Sequence, residues 1–67
     1  MPILKVIEVM GSSTKSWDDA AQNMVSEAGK TVKNIRSIYV QETSAKVENN
    51  RIVEYRINGK ITFEVGQ

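Results

Sequence analysis

The sequence predicts an α+β fold of order β-α-β-β, a three-stranded antiparallel sheet wrapped around one helix. Three observations carry that expectation. Val53, Tyr55, Ile57, Ile61, Phe63 and Val65 occupy odd positions against Glu54, Arg56, Asn58, Lys60, Thr62 and Glu64 on even ones, the period-2 pattern of a half-buried strand. Trp17, Ala20, Ala21, Met24, Val25, Ala28 and Val32 recur at steps of three and four, the stripe of an amphipathic helix. Ile3 to Met10 is dense in Val and Ile and too short for a typical helix.

The first strand ends, on composition, at Gly11-Ser12-Ser13-Thr14. Leu4, Val6 and Met10 fall on one of its faces and Ile3, Ile7 and Val9 on the other, so both faces need cover: the helix on one side, a neighbouring subunit on the other. Ser16 is a good N-cap, with Asp18 and Asp19 in the first turn where the helix dipole favours carboxylates. The helix is expected from Trp17 to about Lys33, with Gly29 weakening it by roughly 1 kcal/mol relative to alanine and marking a close helix-to-backbone contact.

A second strand follows Asn34. Its apolar residues shift from the even positions Ile38 and Val40 to the odd positions Ala45 and Val47, which requires a bulge or bend within Gln41 to Ser44. Asn49 and Asn50 suit the turn because asparagine tolerates positive φ. Asn58-Gly59 is the strongest short hairpin signal, yet parity opposes it: folding there would continue the row 53, 55, 57 as Lys60, Thr62 and Glu64. Gly59 is therefore read as a bend or close approach inside one continuous strand. A right-handed crossover with the third strand between the first and second makes the whole sheet antiparallel.

The third strand would extend roughly 43 Å at about 3.3 Å per residue. A compact chain of this length, with a radius of gyration near 11 Å, is only about 28 Å across. Much of the apolar ribbon thus needs a partner chain. The 67 residues form one domain, 1–67, close to the lower limit at which a single core outweighs chain entropy. There is no cysteine for a disulfide and no histidine as metal ligand or general base, which leaves self-association as the staple. Nine Lys plus Arg against eight Asp plus Glu give a net charge of +1, no field for nucleic acid or an acidic membrane surface. No apolar run approaches a transmembrane span, and the start lacks signal-peptide character, so a cytoplasmic location is expected.

An enzyme is not expected. The Ser12 to Ser16 stretch with Lys15 could supply a Ser-Lys pair, but a loop and helix cap explain it better. Adjacent carboxylates such as Asp18 and Asp19 do not face each other on a helix. A calcium site needs six or more oxygens; Ser12, Ser13, Thr14 and Asp18 could gather only with an inward loop or a symmetry mate, which makes Ser13, Thr14 and Asp18 the metal candidates. Trp17 is read as a core or interface anchor. Tyr39 faces away from the helix, a candidate interface or stacking residue, with a cross-strand pair to Tyr55 or a neighbour as the plainer alternative. Arg56 projects from the polar face, where a guanidinium could grip a phosphate or carboxylate or simply pair with Glu42.

Lys5-Val6-Ile7-Glu8-Val9-Met10-Gly11-Ser12-Ser13, Ser16-Trp17-Asp18-Asp19-Ala20-Ala21, Ile35-Arg36, Glu54-Tyr55-Arg56-Ile57 and Phe63-Glu64-Val65, in that order, resemble the dodecin family over nearly the whole chain. The resemblance implies a subunit whose sheet curls around its helix and a homododecamer, a hollow shell of cubic (tetrahedral) symmetry. It also implies sequestering of small molecules, typically riboflavin or related flavins such as FMN, sometimes with coenzyme A, without turnover. Flavin-binding members carry a stacking tryptophan early in strand two and a hydrogen-bonding glutamine in strand three. Here those positions hold Ser37 and Arg56, with Tyr39 and Gln41 nearby. Losing a stacked aromatic, worth about 1 to 3 kcal/mol, should weaken flavin binding by roughly one to two orders of magnitude, and Arg56 can donate but not accept. The chain resembles the branch associated with calcium. The expected function is therefore ion or small-ligand binding of the calcium type, with flavin storage and a structural shell without specific ligand as the alternatives.

Overall fold

The computed structural model describes residues 3–66; Met1, Pro2 and Gln67 lie outside the described residues. The elements run β1 (Ile3–Ser13), α1 (Trp17–Ala28), β2 (Ile35–Glu48) and β3 (Arg51–Val65). The sheet order is β1-β3-β2 with both pairings antiparallel, as the sequence predicts. β3 passes straight through Asn58-Gly59. A Cβ at Gly59 would run into the Tyr39 carbonyl oxygen, so glycine is there for close approach.

β1 is longer than its composition suggests, because Gly11, Ser12 and Ser13 pair with Ile57, Arg56 and Tyr55. The long β3 supplies a ladder beyond Met10, and the Gly-Ser-Ser run fills it. Gly11 also takes the role expected of Gly29. A Cβ on Gly11 would lie 2.7 Å from the Ala20 carbonyl oxygen and 2.8 Å from the Met24 Cβ, so the helix crosses the sheet there. At Gly29 the nearest atoms are carbonyl oxygens of Val25 and Ser26, in its own helix.

The helix stops at Ala28 rather than near Lys33. After it the bonding tightens, with Lys30 N donating to Glu27 O and Thr31 N to Ala28 O (both 3.2 Å), the i→i+3 pattern of a closing turn. Gly29, the poorest ordinary helix former, sits at the C-cap. Asn34, at φ 62°, then redirects the chain into β2. In the hairpin tip Asn49 and Asn50 take φ 53° and 63°, the positive-φ pair that a two-residue turn requires.

The bulge expected in Gln41 to Ser44 is at Gln41: Val40 pairs with Gly59, but Glu42 with Asn58. Two further register shifts lie at Arg36 and between Lys46 and Val47, irregularities that the sequence pattern does not announce. The buried core is Ala20, Met24, Ile57 and Ile61, with Ile7, Val9, Ala21, Ala28, Ile35, Ile38 and Phe63 packed around it.

That core is small, and the molecule is long. Its extents are 51 × 19 × 14 Å and its radius of gyration 13.7 Å, well above the value of about 11 Å for a compact chain of this length. The accessible surface is 5080 Å², against about 4,250 Å² for a compact monomer of this mass. Leu4, Val6 and Met10 on the outer face of β1 remain 58%, 56% and 74% exposed. A single copy leaves uncovered the face that the sequence requires a neighbour to cover.

Candidate functional site

The two faces of the sheet carry different chemistry. The inner face holds the helix. At its upper corner Ser16 caps α1, its Oγ accepting from Asp19 N at 3.0 Å. Asp19 turns its carboxylate back to β1, where Ser13 Oγ donates to Oδ2 at 2.6 Å and accepts from Lys15 N at 2.9 Å. Asn23 Nδ2 donates to Ser12 O at 3.0 Å. Ser13, only 8% exposed, is thus fully engaged in tying strand to helix. Of the candidate metal ligands, Ser13 meets Asp19 and not Asp18, while Asp18 and Thr14 are exposed. The side chains of adjacent helical residues diverge, so Asp18 and Asp19 part company here.

Trp17 closes the other side of the helix start. Its Nε1 donates to Ser44 O at 3.0 Å, and its ring meets Tyr55 edge-on, centroids 4.8 Å apart. Trp17 ties the helix start to β2 and β3 but stays 38% exposed, so it is no core residue. Tyr55 is therefore spent on Trp17, and the Tyr39–Tyr55 pair does not form; Tyr39 stands opposite Lys60 on the outer face, 63% exposed.

Three rows of ladder partners organise that outer face: Glu8, Lys60 and Tyr39; then Met10, Asn58 and Glu42; then Ser12, Arg56 and Ser44. Ser37 lies beyond the first row, opposite Thr62 and exposed. The Arg56–Glu42 pair gives way to two other contacts. Arg56 Nε donates to Glu54 Oε1 at 2.9 Å, two residues along the same face of its own strand, and Asn58 Nδ2 donates to Glu42 Oε1 at 3.2 Å.

Two open cavities flank Met10. One, of about 380 Å³, is lined by Glu8, Val9, Met10, Gln41, Glu42, Asn58 and Gly59. The other, of about 280 Å³, is lined by Met10, Gly11, Ser12, Glu54 and Arg56. Gln41 and Arg56 thus enter separate cavities, and Ser37 and Tyr39 line neither. Sequence reasoning did not select Glu8, Met10 or Asn58; the usable signal was the parity break at Gln41, since bulges re-aim side chains beside binding sites. Among the described residues no group of three His, Cys, Asp or Glu side chains gathers as a metal site. No helix there is long and apolar enough to cross a membrane.

The dodecin family model matches residues 3–66. The chain belongs to the dodecin family. This dodecin is 34% identical over 65 residues to a calcium dodecin of Mycobacterium tuberculosis, covering 97% of this chain and 92% of that protein. A crystal structure of the M. tuberculosis calcium dodecin, described as calcium chelating and as having a novel calcium-binding site, superposes with a TM-score of 0.82 at 33% identity, covering 96% and 91% of the two chains. The dodecin of Streptomyces davaonensis superposes with a TM-score of 0.94 at 21% identity, covering 98% and 97%. That of Streptomyces coelicolor gives 0.93 at 23%, covering 98% and 94%. Backbone likeness and sequence likeness therefore favour different relatives: the Streptomyces pair fixes the fold, and the mycobacterial protein is nearer in side chains.

Proposed function

We propose that this dodecin is a non-enzymatic, single-domain subunit of a homododecameric shell that binds or buffers a small ligand or ion, of the calcium type rather than the flavin type. The observation that carries the assembly is the bare apolar row of Leu4, Val6 and Met10 on a sheet face that its own helix cannot reach. The ligand preference rests on Ser37, which offers no π surface at the position where the family resemblance implies the stacking tryptophan of flavin-binding dodecins. Similarity to a protein named calcium dodecin supports the same side. Histidine-free and cysteine-free composition favours hard-cation, oxygen-only coordination over transition metals, and completing six or more oxygens calls for more than one subunit, because among the described residues no three carboxylates gather in one copy. Asp18 and Thr14, exposed beside the helix start, are available for such shared coordination, whereas Ser13 is engaged by Asp19. The balanced charge offers no field for a nucleic-acid or membrane partner, and a cytoplasmic location is part of the same proposal.

Flavin storage is the second reading, favoured by Tyr39, an exposed ring on the same outer face as Ser37. Native mass spectrometry of protein purified without added ligand tests the shell and reveals any cargo. Calorimetry on metal-stripped protein is expected to show calcium binding; no heat and no shift of the thermal midpoint at millimolar calcium would remove the ion reading. Strong quenching of riboflavin at submicromolar affinity would restore the flavin reading over it.

A further inference from the structure

We propose that Asn58-Gly59 is a modification site held shut by the fold, a deamidation switch that fires when β3 leaves the sheet and then bars its return. It rests on the fold alone and needs neither the shell nor its ligand. Asparagine before glycine is the pair most open to attack on the side-chain amide, because glycine has no Cβ to obstruct its own nitrogen. Asn23, Asn34, Asn49 and Asn50 are all followed by residues with side chains. In the reaction the Gly59 nitrogen attacks Asn58 Cγ, a C–N bond forms, and the Nδ2 amide leaves as ammonia. Water then opens the succinimide ring at either carbonyl. One product is aspartate; the other is isoaspartate, with the side-chain methylene inserted into the main chain.

Two features keep the pair unreactive. β3 runs unbroken through Asn58 and Gly59 as the central strand, paired with Met10 and Val9 on one side and with Glu42 and Val40 on the other. Extended backbone, with ψ of about +135°, turns the Gly59 nitrogen away from the Asn58 side chain, whereas ring closure needs the two side by side. Asn58 Nδ2 also donates to Glu42 Oε1 at 3.2 Å, which draws the amide across the sheet and not along its own strand. Nor can the glycine be exchanged freely, because a Cβ there meets the Tyr39 carbonyl oxygen. Close packing thus places the most reactive dipeptide of the chain at the centre of its sheet. The reaction is intramolecular, so it needs no access in the folded state, and a neighbour over the outer face only tightens the closure. Once it has run, the step is one-way. Ile57 and Ile61, the β3 members of the buried core, stand on either side of the pair. An added backbone atom between them throws the ladders to β1 and β2 out of step, so the two cannot seat together.

The test incubates the full-length protein at mildly alkaline pH, native and in guanidinium chloride, and digests it with trypsin under mildly acidic conditions. Cleavage after Arg56 and Lys60 isolates Asn58 in a tetrapeptide, while Asn49 and Asn50 fall in the peptide from Val47 to Arg51. In guanidinium Asn58 is expected to convert several-fold faster than Asn49 or Asn50. In the native protein it should convert about a hundredfold more slowly than in guanidinium, since core strands open with free energies approaching that of global unfolding. Ile61→Ala, by loosening the core, is expected to raise the native rate about tenfold or more. When aged denatured chains are refolded and separated by size, isoaspartate should be missing from the folded fraction, with synthetic tetrapeptides as standards for the two isomers. Asn58→Asp, which keeps the backbone, is expected to refold. Equal native and denatured rates, no lead over Asn49 and Asn50 in guanidinium, no acceleration in Ile61→Ala, isoaspartate chains that refold like unmodified ones, or an Asn58→Asp chain that refolds no better than they do would overturn the proposal.

Discussion

The inner face of the sheet and the outer face are built on opposite economies of space. On the inner face, Gly11 and Gly59 have given up side chains so that the Ala20–Met24 stretch of the helix and the Tyr39 carbonyl can approach within van der Waals contact, and Ile57 and Ile61 fill what remains. The outer face carries an apolar strand row in open water and three ladder rows of mixed polar groups with two unfilled cavities. The middle of the inner face is filled within one chain, although Ile3 and Val40 on that side stay exposed, and the outer face is finished only by something else. Fold is therefore readable from a single copy, whereas assembly and cargo belong to surfaces that a single copy leaves open.

The sharpest way to break that contrast is to charge the outer row. In an isolated chain, Leu4→Asp with Val6→Asp alters exposed positions, where substitutions usually cost within about 0.5 kcal/mol. In the shell both carboxylates become buried, and the high-mass species in native mass spectrometry is expected to vanish with a collapse of the thermal midpoint. An unchanged mass and midpoint would show that this face is truly free. On the inner face, Ile61→Ala should cost about 2 to 5 kcal/mol by cavity formation, measured by denaturant unfolding.

The glycines sharpen the comparison further. Gly11→Ala is expected to destabilise by about 1 to 3 kcal/mol through overpacking, because the atoms it meets include helix backbone. Gly29→Ala should instead stabilise by up to about 1 kcal/mol, since that residue has αR geometry and faces only its own helix. The same sign for both in thermal melts would refute the assignment of the helix crossing to Gly11. An effect of similar size belongs to Trp17→Phe, which keeps a ring against Tyr55 and deletes the bond to Ser44 O; a loss of about 1 kcal/mol is expected.

Much of the inner face was legible because it is written in periodicity. The odd-position row fixed β3 as continuous, the cap at Ser16 located the helix start, and the parity break located the bulge. Composition misled at both ends of the connection. Gly11-Ser12-Ser13 reads as a loop until β3 offers it a ladder, and the Val32 repeat extends the helical stripe past the residue where Gly29 lets the turn tighten. On the outer face, periodicity says which side a residue occupies but not whom it meets. Arg56 took Glu54 on its own strand instead of Glu42 across the sheet, and Asp19 rather than Asp18 turned toward Ser13. The stretch Gln41 to Ser44 was legible as the place of a bulge, while its position at Gln41, and Glu8 and Asn58 as neighbours, came only through a register no local pattern specifies.

The junction at Trp17 has a practical consequence. It is the sole indole of the chain, wedged between the helix start, the Ser44 carbonyl and the Tyr55 ring. Its ultraviolet emission colour therefore tells an observer whether the hairpin arm is seated on the body, an intrinsic optical gauge of closure that needs no added dye.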